Sequence, residues 1–239
     1  MNFKVLTYNI QHGVDQHSET REINLDQIAD IIGNVGADIV NLNEVYGAGE
    51  FPGKPYEMNA SYIASKCGYN YSFFSPAITA NGRPYGNAFF SKYPILFAEI
   101  IPIPDPLRKT ERVHYESRVI LKTVIKPEGK CLTVFSSHFG VAKNEERNAV
   151  DLMCDLISEE NNDIICMGDF NITPDNEITA PLLKALKNTS ADNEPTFPSY
   201  SPEIKIDYIL VSENVDVIGG KPLNIIASDH FPYVAELNI

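Results

Sequence analysis

Eight polar side chains that could bind a metal or move a proton lie at or near the ends of strand-like apolar runs. Buried acids and imidazoles are costly unless they are paired, hydrogen-bonded or bound to metal. Carboxylate and amide oxygens suit hard divalent cations, and an imidazole beside a carboxylate suits acid–base work. Because strand ends present side chains from a rigid platform, the pattern predicts one binding or catalytic rim. The residues are Asn9, Glu44, His138, Asp169, Asn171, Asp207, Asp229 and His230.

Each of these residues taken alone also has an ordinary structural explanation. Glu44 fits a surface acid equally well, and Asp169 lies in Gly-Asp-Phe-Asn, a run of turn residues. Asp207, inside a strand pattern, is typical of an edge position, and Asp229 with His230 fits a simple loop pair. The single residues leave these alternatives open.

The elements that must position the rim alternate between strand and helix signals. Asn24 and Gln27 have capping-box spacing, and the following apolar residues repeat as on one helix face up to Gly33, which we expect to end the helix. Residues 60–66 predict a short second helix closed by Gly68, Asn144 is expected to cap a third helix, and Pro181 to open a fourth. The Gly- and Pro-rich stretch 46–59 predicts a loop. The predicted strands are 3–10, 38–42, 69–74, 87–91, 95–103, 119–125, 132–137, 163–167, 206–211 and 233–237.

Strands outnumber helices, and many follow one another directly. This order favours an α/β (α+β) fold with two packed sheets and outer helices over one doubly wound parallel sheet. The sequence has no internal repeat and no linker long enough to separate two domains, so we expect a single domain over 1–239.

The charge balance and the N-terminus narrow the possible partners. With 19 basic and 32 acidic residues, the formal net charge of −13 argues mildly against a protein that holds nucleic acid by neutralising phosphates. Met1 is followed at once by a strand-like run, and no apolar run is long enough to span a membrane. We therefore expect no membrane span and a cytoplasmic monomer, although a signal peptide removed earlier is not excluded.

Taken in order, the motifs resemble the endonuclease/exonuclease/phosphatase superfamily over positions 7 to 230. A lone Gly-Asp-x-Asn is a weak signal, but the full set in family order is specific. Secondary matches are Gly86-Asn87-Ala88, Glu116-Ser117-Arg118, Arg147 and Thr196-Phe197-Pro198. The main motifs are Thr7-Tyr8-Asn9-Ile10, Leu42-Asn43-Glu44-Val45, Ser137-His138-Phe139, Gly168-Asp169-Phe170-Asn171, Ile206-Asp207-Tyr208-Ile209 and Ser228-Asp229-His230.

The resemblance implies a four-layer αββα sandwich and a divalent metal, Mg²⁺ or Mn²⁺. Glu44 would be the main metal ligand, with Asn9 and Asp229 contributing. Gln11 stands where an acid or a histidine is frequent in the family, and Asn43 stands where glutamine is common. The metal's outer shell is therefore the part of the site that departs from the family pattern.

The resemblance also implies catalytic roles. Asp169 would orient and deprotonate the attacking water, and Asn171 would hold that water or a phosphate oxygen. His230 would contact the scissile phosphate while Asp207 accepts its other ring N–H, and His138 would donate to a phosphate oxygen. The secondary site residues would be Gln11, Asn87, Glu116, Arg118 and Arg147.

Three functions are compatible with these residues. The first is a metal-dependent phosphodiesterase or phosphatase acting on a small or lipid-like phosphate ester, which the acidity and the Ser-His motif favour. The second is a nuclease with the same chemistry. The third, a catalytically silent binding protein, predicts the loss of core groups, whereas all are present. The nuclease alternative predicts a basic rim built from Lys54, Arg83, Lys92, Arg108, Lys109 and Arg112.

Overall fold

The computed structural model describes residues 2–47 and 59–239, which form twelve strands and four α-helices. The helices are α1 (Leu25–Val35), α2 (Asn59–Lys66), α3 (Lys143–Ser158) and α4 (Ala180–Ala185). The strands are β1 (Asn2–Asn9), β2 (Ile39–Tyr46), β3 (Tyr71–Ala80), β4 (Arg83–Ser91), β5 (Ile95–Pro102), β6 (Val119–Ile125), β7 (Leu132–His138), β8 (Asp163–Asp169), β9 (Lys187–Asn188), β10 (Asp207–Val211), β11 (Asp216–Pro222) and β12 (Tyr233–Asn238).

The strands form two six-stranded sheets with the same central plan. The first has the order β11-β12-β1-β2-β4-β3 and the second β5-β6-β7-β8-β10-β9. In each, two parallel strands lie side by side near the centre, β1 with β2 and β7 with β8. A parallel pair needs a crossover connection, which α1 supplies in the first sheet and α3 in the second.

Each sheet is buried on both faces, which explains the continuous apolar runs of its central strands. In β1, Phe3 and Val5 pack between the two sheets, whereas Leu6 and Tyr8 face α1 and α2. In β8, Met167 points to the space between the sheets, and its neighbours pack against α3 and α4. The layers are therefore helix, sheet, sheet and helix, which confirms the predicted αββα sandwich.

The parallel pairs bring the polar residues to one end of the sandwich. β1 and β2 run side by side up to the pair Asn9 and Asn43, and β7 and β8 end at the pair His138 and Asp169. β10 begins there, with Asp207 paired to Asp169. We call this end, marked by Asn9, Glu44, His138 and Asp169, the polar edge.

Two helix boundaries predicted from single residues, at Gly33 and Asn144, were wrong, whereas Pro181 lies in the first turn of α4 as expected. Gly33 lies inside α1, which instead ends at Gly36, whose left-handed backbone (φ 64°) closes the last turn. The N-cap of α3 is Ala142, not Asn144, because the Glu145 side chain accepts a hydrogen bond from the Ala142 amide at 3.3 Å. The amide of Asn144 is used elsewhere, donating to the Arg108 carbonyl at 2.8 Å.

Strands β3 and β4 were predicted too short, and strand β11 was not predicted. β3 and β4 extend to a tight turn at Asn81 and Gly82, both with positive φ, as type I′ hairpins require. β11 was not predicted because Gly219, Gly220 and Pro222 break its strand pattern, and it survives by pairing with β12 through a bulge. Most of the predicted loop at 46–59 lies outside the described residues. Across residues 2–47 and 59–239, no helix has the length and apolarity needed to cross a membrane.

Candidate active site

Two residues of the polar edge have backbone conformations that side chains usually avoid. Glu44 has a φ of 60° and Asn171 a φ of 55°. Glu44 lies where the pairing of β2 with β4 is interrupted between Leu42 and Val45. Bulges of this kind re-aim a side chain, and strained residues cluster at functional sites. The bulge turns the Glu44 carboxylate into the polar edge.

The Glu44 carboxylate is half-buried and held on both sides. Its Oε1 accepts a hydrogen bond from the Asn9 amide at 3.0 Å, and its Oε2 accepts one from the Tyr85 hydroxyl at 2.9 Å. The same Asn9 amide donates to Asp169 Oδ2, also at 3.0 Å. Asn9 thus bridges a carboxylate of the first sheet to one of the second. Tyr85, two residues before Asn87, was not predicted, because a tyrosine within a strand carries no sequence signal of this contact.

Asp169 is the centre of the site. Its Oδ1 accepts from the Asn171 backbone N–H at 3.0 Å, and its Oδ2 faces Nε2 of His138 at 3.4 Å and Nε2 of His230 at 3.6 Å. Burial raises the pKa of the Asp169 carboxyl above its ordinary value, and the positive charge of His230 opposes that rise. A carboxylate with a raised pKa is a better proton acceptor than an exposed one.

Asp169 takes its place because β8 approaches β7 very closely. A Cβ built on Gly168, which has a φ of 147°, would lie 1.8 Å from the Ser137 carbonyl oxygen. Only glycine fits this approach and this backbone conformation. The glycine of the Gly-Asp-Phe-Asn motif therefore sets the position of the aspartate that follows it.

His230 is arranged to carry a positive charge. Its Nδ1 donates to Asp207 Oδ2 at 2.9 Å, and both side chains are buried. Burial by itself lowers the pKa of His230, but the carboxylates of Asp207 and Asp169 outweigh it and raise the pKa to about 10. The ring of Phe197 lies 4.7 Å from the imidazole and fixes its plane. His230 is therefore an imidazolium that directs Nε2–H into the polar edge.

His138 is arranged to stay neutral. Arg118 lies 3.0 Å from His138 Nδ1 through its Nη1 and pairs with Glu116 at 2.7 Å. Because arginine stays protonated, its N–H donates and His138 Nδ1 must accept, which leaves the ring proton on Nε2. Burial and then the charges of Arg118 and His230 lower the pKa of His138 well below 6.5. The site thus holds one charged and one neutral imidazole, both presenting Nε2–H to Asp169.

The oxygen-rich side of the site fits a hard divalent cation. Asp229 Oδ2 accepts from the Gln11 side-chain amide at 2.7 Å, and burial, with the nearby charge of Glu44, raises the pKa of Asp229. Within the described residues neither Glu44 nor Asp229 has a lysine or arginine partner. Two acids without a neutralising lysine or arginine are ligands that Mg²⁺ or Mn²⁺ takes. The Asn9 amide oxygen, which here accepts from the Gln11 backbone N–H at 3.1 Å, would be a third. Glu44, Asp229 and Asn9 would hold the cation.

A second group of possible ligands lies nearby but is already paired. Ligand atoms of Asp169, Asp207 and His230 lie within 4.8 Å of one another, and all three residues are buried. However, Asp207 Oδ2 already accepts the His230 Nδ1–H, while Asp207 Oδ1 is buried without a hydrogen-bond partner among the described residues. A cation at that point would have to displace an internal ion pair, so the donor set around Glu44 fits a metal better.

The catalytic residue Asn171 and the secondary residue Asn87 lie at the site, whereas the secondary residue Arg147 lies away from it. Asn171 donates from its side-chain amide to the Phe139 carbonyl at 3.0 Å, and Asn87 accepts from Asn43 at 2.8 Å. Arg147 lies on the exposed face of α3 and pairs with Glu177 at 3.2 Å. The structure brings the other predicted residues together but gives Arg147 a surface ion pair instead of a contact with Asp169 or either histidine.

The fold and this arrangement of carboxylates and imidazoles define a class of phosphate-ester hydrolases. A sequence model of the Endonuclease/Exonuclease/phosphatase family matches residues 6–230, and the chain belongs to that family. The chain is 26% identical over 255 residues to the uncharacterized protein YbhP of Escherichia coli K12, covering 100% of this chain and 97% of YbhP.

Solved structures share the fold at low sequence identity. An endonuclease/exonuclease/phosphatase from Beutenbergia cavernae superposes with a TM-score of 0.84 at 21% identity, over 100% of this chain and 72% of that one. A mannosyl-6-phosphatase of Bacteroides thetaiotaomicron superposes with a TM-score of 0.75 at 19% identity, over 99% and 100% of the two chains. These likenesses support the αββα architecture.

Proposed function

We propose that the protein is a divalent-metal-dependent phosphodiesterase or phosphatase that hydrolyses a small or lipid-like phosphate ester by water attack on phosphorus. The observation that carries the proposal is the pair of imidazoles in opposite charge states around Asp169, beside the unneutralised acids Glu44 and Asp229. One buried carboxylate serves as the base, and two N–H donors face the same point.

The side chains at the polar edge have different roles in phosphoryl transfer. In-line attack builds negative charge on the phosphate oxygens, and fixed donors stabilise that charge without reorganising. His230 supplies a charge-assisted N–H, the stronger kind of hydrogen bond, and His138 supplies a neutral one. Asp169 takes the proton of the attacking water, and Asn171 holds the Asp169 carboxylate through its backbone N–H.

A metal bound at Glu44, Asp229 and Asn9 would act as a Lewis acid toward the phosphate oxygens. Asp207 orients His230 through Nδ1, and Arg118 orients His138 in the same way. Asp207 stabilises the charged form of His230, and Arg118 fixes the neutral tautomer of His138 with its proton on Nε2. The two partners thus act through the histidines rather than on the substrate.

A nuclease is the second candidate, and the exposed cations Arg108, Lys109 and Arg112 favour it. Other parts of the predicted basic rim do not. Lys92 pairs with Asp38 at 3.2 Å, at the opposite end of β2 from Glu44. Arg83 lies over the Tyr46 ring at 4.4 Å, and Lys54 falls outside the described residues. A net charge of −13 also weakens this candidate.

The proposal is tested with bis-p-nitrophenyl phosphate in Mg²⁺ or Mn²⁺ and in excess chelator. Asp169→Ala and His230→Ala should each lose on the order of 10²–10³ in kcat, by analogy with single transition-state donors. Asp151→Asn, at an exposed position in the middle of α3, is the matched control and should retain activity. Full activity in chelator, or in either site variant, would disprove the proposal. A panel of nucleic acids, nucleotides, inositol phosphates and phospholipids then selects the substrate.

A further inference from the structure

The connection between β5 and β6 forms a closed loop beside the active site. The Ile103 N–H donates to the Arg118 carbonyl at 2.9 Å, which joins the two ends of the segment between them. β6 begins opposite the end of β7, so the loop leaves the sheet at the polar edge. Arg118, which directly follows the loop, is the residue that contacts His138. We call residues 104–117 the rim loop.

The acids of the rim loop are occupied within the protein. Asp105 accepts from the Ser117 hydroxyl at 2.9 Å, and Glu111 accepts from the Lys143 backbone N–H at 2.9 Å. Glu116 pairs with Arg118. These contacts tie the negative charges of the loop to its base and to α3.

The cations of the rim loop, unlike its acids, are both exposed to solvent and unpaired in the described part of the chain. Arg108, Lys109 and Arg112 are exposed, and none has an ion-pair partner within the ranges that the structure describes. Lys109 packs over the Tyr115 ring at 5.3 Å and still faces solvent. On a chain with 32 acids and 19 bases, the rim loop carries three of each, so its net charge is zero, and its three cations are exposed.

Two aliphatic side chains lie among these cations. Leu107 is 103% exposed, the highest value among the exposed large hydrophobic residues, and Val113 is 43% exposed. Leu107 directly precedes Arg108, and Val113 directly follows Arg112. A single exposed aliphatic residue is ordinary, so these two indicate an outside partner only together with the exposed cations that flank them in sequence.

The rim loop is held in this shape by the protein itself. The Tyr115 hydroxyl accepts from the backbone N–H groups of Thr110 and Glu111 at 2.9 and 3.1 Å. From α3, Asn144 and Asn148 donate to carbonyls of the loop at 2.8 and 2.7 Å. A surface ordered in advance loses little conformational entropy on binding.

We infer that the rim loop docks the protein on anionic phospholipid surfaces, with Leu107 and Val113 entering the interface and Arg108, Lys109 and Arg112 facing the lipid phosphates. Aliphatic side chains bordered by basic residues suit the boundary between headgroups and acyl chains. A nucleic acid would use the cations but would give Leu107 no apolar partner. The exposed cations of the rim loop would hold this face of the protein against such a membrane, and the active site beside the loop would then face the lipid.

Sedimentation with lipid vesicles tests the inference without any hydrolysis, so its failure is separable from failure of the proposed function. The protein should bind vesicles containing phosphatidylglycerol, weakly and in a salt-sensitive way, and should not bind phosphatidylcholine alone. Replacing the three cations in R108Q/K109Q/R112Q should lower the partition coefficient about 100-fold, from about 5-fold per cation. Leu107→Ser should lower it about 10-fold with the charge unchanged.

The matched controls are K126Q/K184Q/K221Q, which removes three exposed lysines elsewhere, and Leu96→Ser, at another exposed leucine. Both should bind like the parent protein, and thermal unfolding should show that all variants are folded. Equal binding by the loop variants, no binding of the parent to anionic vesicles, or equal binding to phosphatidylcholine would overturn the inference. The inference would also be overturned if the parent bound a single-stranded oligonucleotide, and the triple variant lost that binding but still bound vesicles like the parent.

Discussion

The side-chain oxygen of Asn43 accepts a hydrogen bond from the backbone N–H of Asp169 at 3.0 Å, joining the two sheets at the polar edge. The Asn43 amide also donates to Asn87 at 2.8 Å and to the Ser137 carbonyl at 3.1 Å. Asn43 is fully buried, so no water competes for these bonds. The position of the proposed base on the second sheet therefore depends on a side chain of the first.

Asn43→Ala should cost about 1–3 kcal/mol of unfolding free energy, because it leaves the Asp169 N–H buried without a partner. It should also lower kcat by on the order of 100-fold with little change in KM, since the base shifts relative to the phosphate. Denaturant unfolding and kinetics on bis-p-nitrophenyl phosphate measure the two effects.

Asn43→Gln keeps the amide and should recover part of kcat. Asn162→Ala is the control: its amide bonds Thr133 at 3.0 Å at the far end of β7 and β8. If that variant lost as much kcat for the same loss of stability, Asn43 would have only a structural role.

The contrast between Asn43 and the motif residues explains what the sequence can reveal. Asp169 and His138 follow apolar strands, and the parallel register of β7 and β8 brings such ends together, so their grouping was predictable. The hydrogen bond from Asn43 joins two different sheets, and the contact of Tyr85 with Glu44 depends on a bulge. Neither contact produces a periodic pattern in the sequence from which it could be predicted. The αββα layers followed from element order and resemblance, whereas β11 depends on its partner strand.

Arg118→Met should raise the pKa of His138 toward its ordinary value, because it removes a positive charge that lowers that pKa, while burial continues to lower it. Ring-nitrogen NMR over a pH titration measures this directly. In the parent protein His138 should remain neutral, with the proton on Nε2, as the pH falls through 6.5.

The lowered pKa of His138 also makes the unfolding free energy depend on pH. Because its folded pKa lies below its unfolded value of 6.5, the unfolded chain binds the proton first, and unfolding free energy is lost as the pH falls below 6.5. That loss should be smaller in Arg118→Met. Arg118→Lys keeps a positive charge and serves as the control; an unchanged His138 titration in Arg118→Met would contradict the assignment.

Glu146→Gln should stabilise the protein above neutral pH. Burial and the charge of Glu111 raise the pKa of Glu146 to about 7, and its Oε2 is buried without a hydrogen-bond partner. The folded state therefore prefers the protonated form, so this stabilising contribution is present below pH 4.5 and lost as the pH rises to about 7. The gain at higher pH should be about 1 kcal/mol.

Chemical unfolding at several pH values measures this effect. The difference between Glu146→Gln and the parent should grow between pH 4.5 and about 7. Glu159→Gln, an exposed acid at the other end of α3, is the matched control and should show no such trend. If the difference in unfolding free energy between Glu146→Gln and the parent did not change with pH, the pKa of Glu146 would not be raised in the folded state.

Mg²⁺ or Mn²⁺ should stabilise the folded protein by an amount that grows with the logarithm of the metal concentration above Kd, and Glu44→Gln should abolish most of the effect. At a metal concentration roughly 100-fold above Kd, linkage predicts a gain of about 2.7 kcal/mol, measured by denaturant unfolding with metal and with chelator. In chelator, Glu44→Gln should be at least as stable as the parent, because it removes one of two neighbouring acids, Glu44 and Asp229. Glu19→Gln, an exposed acid, should behave like the parent. If metal stabilised Glu44→Gln as much as the parent, the binding site would instead be the group of Asp169, Asp207 and His230. Metal bound there would have to displace the ion pair between Asp207 and His230.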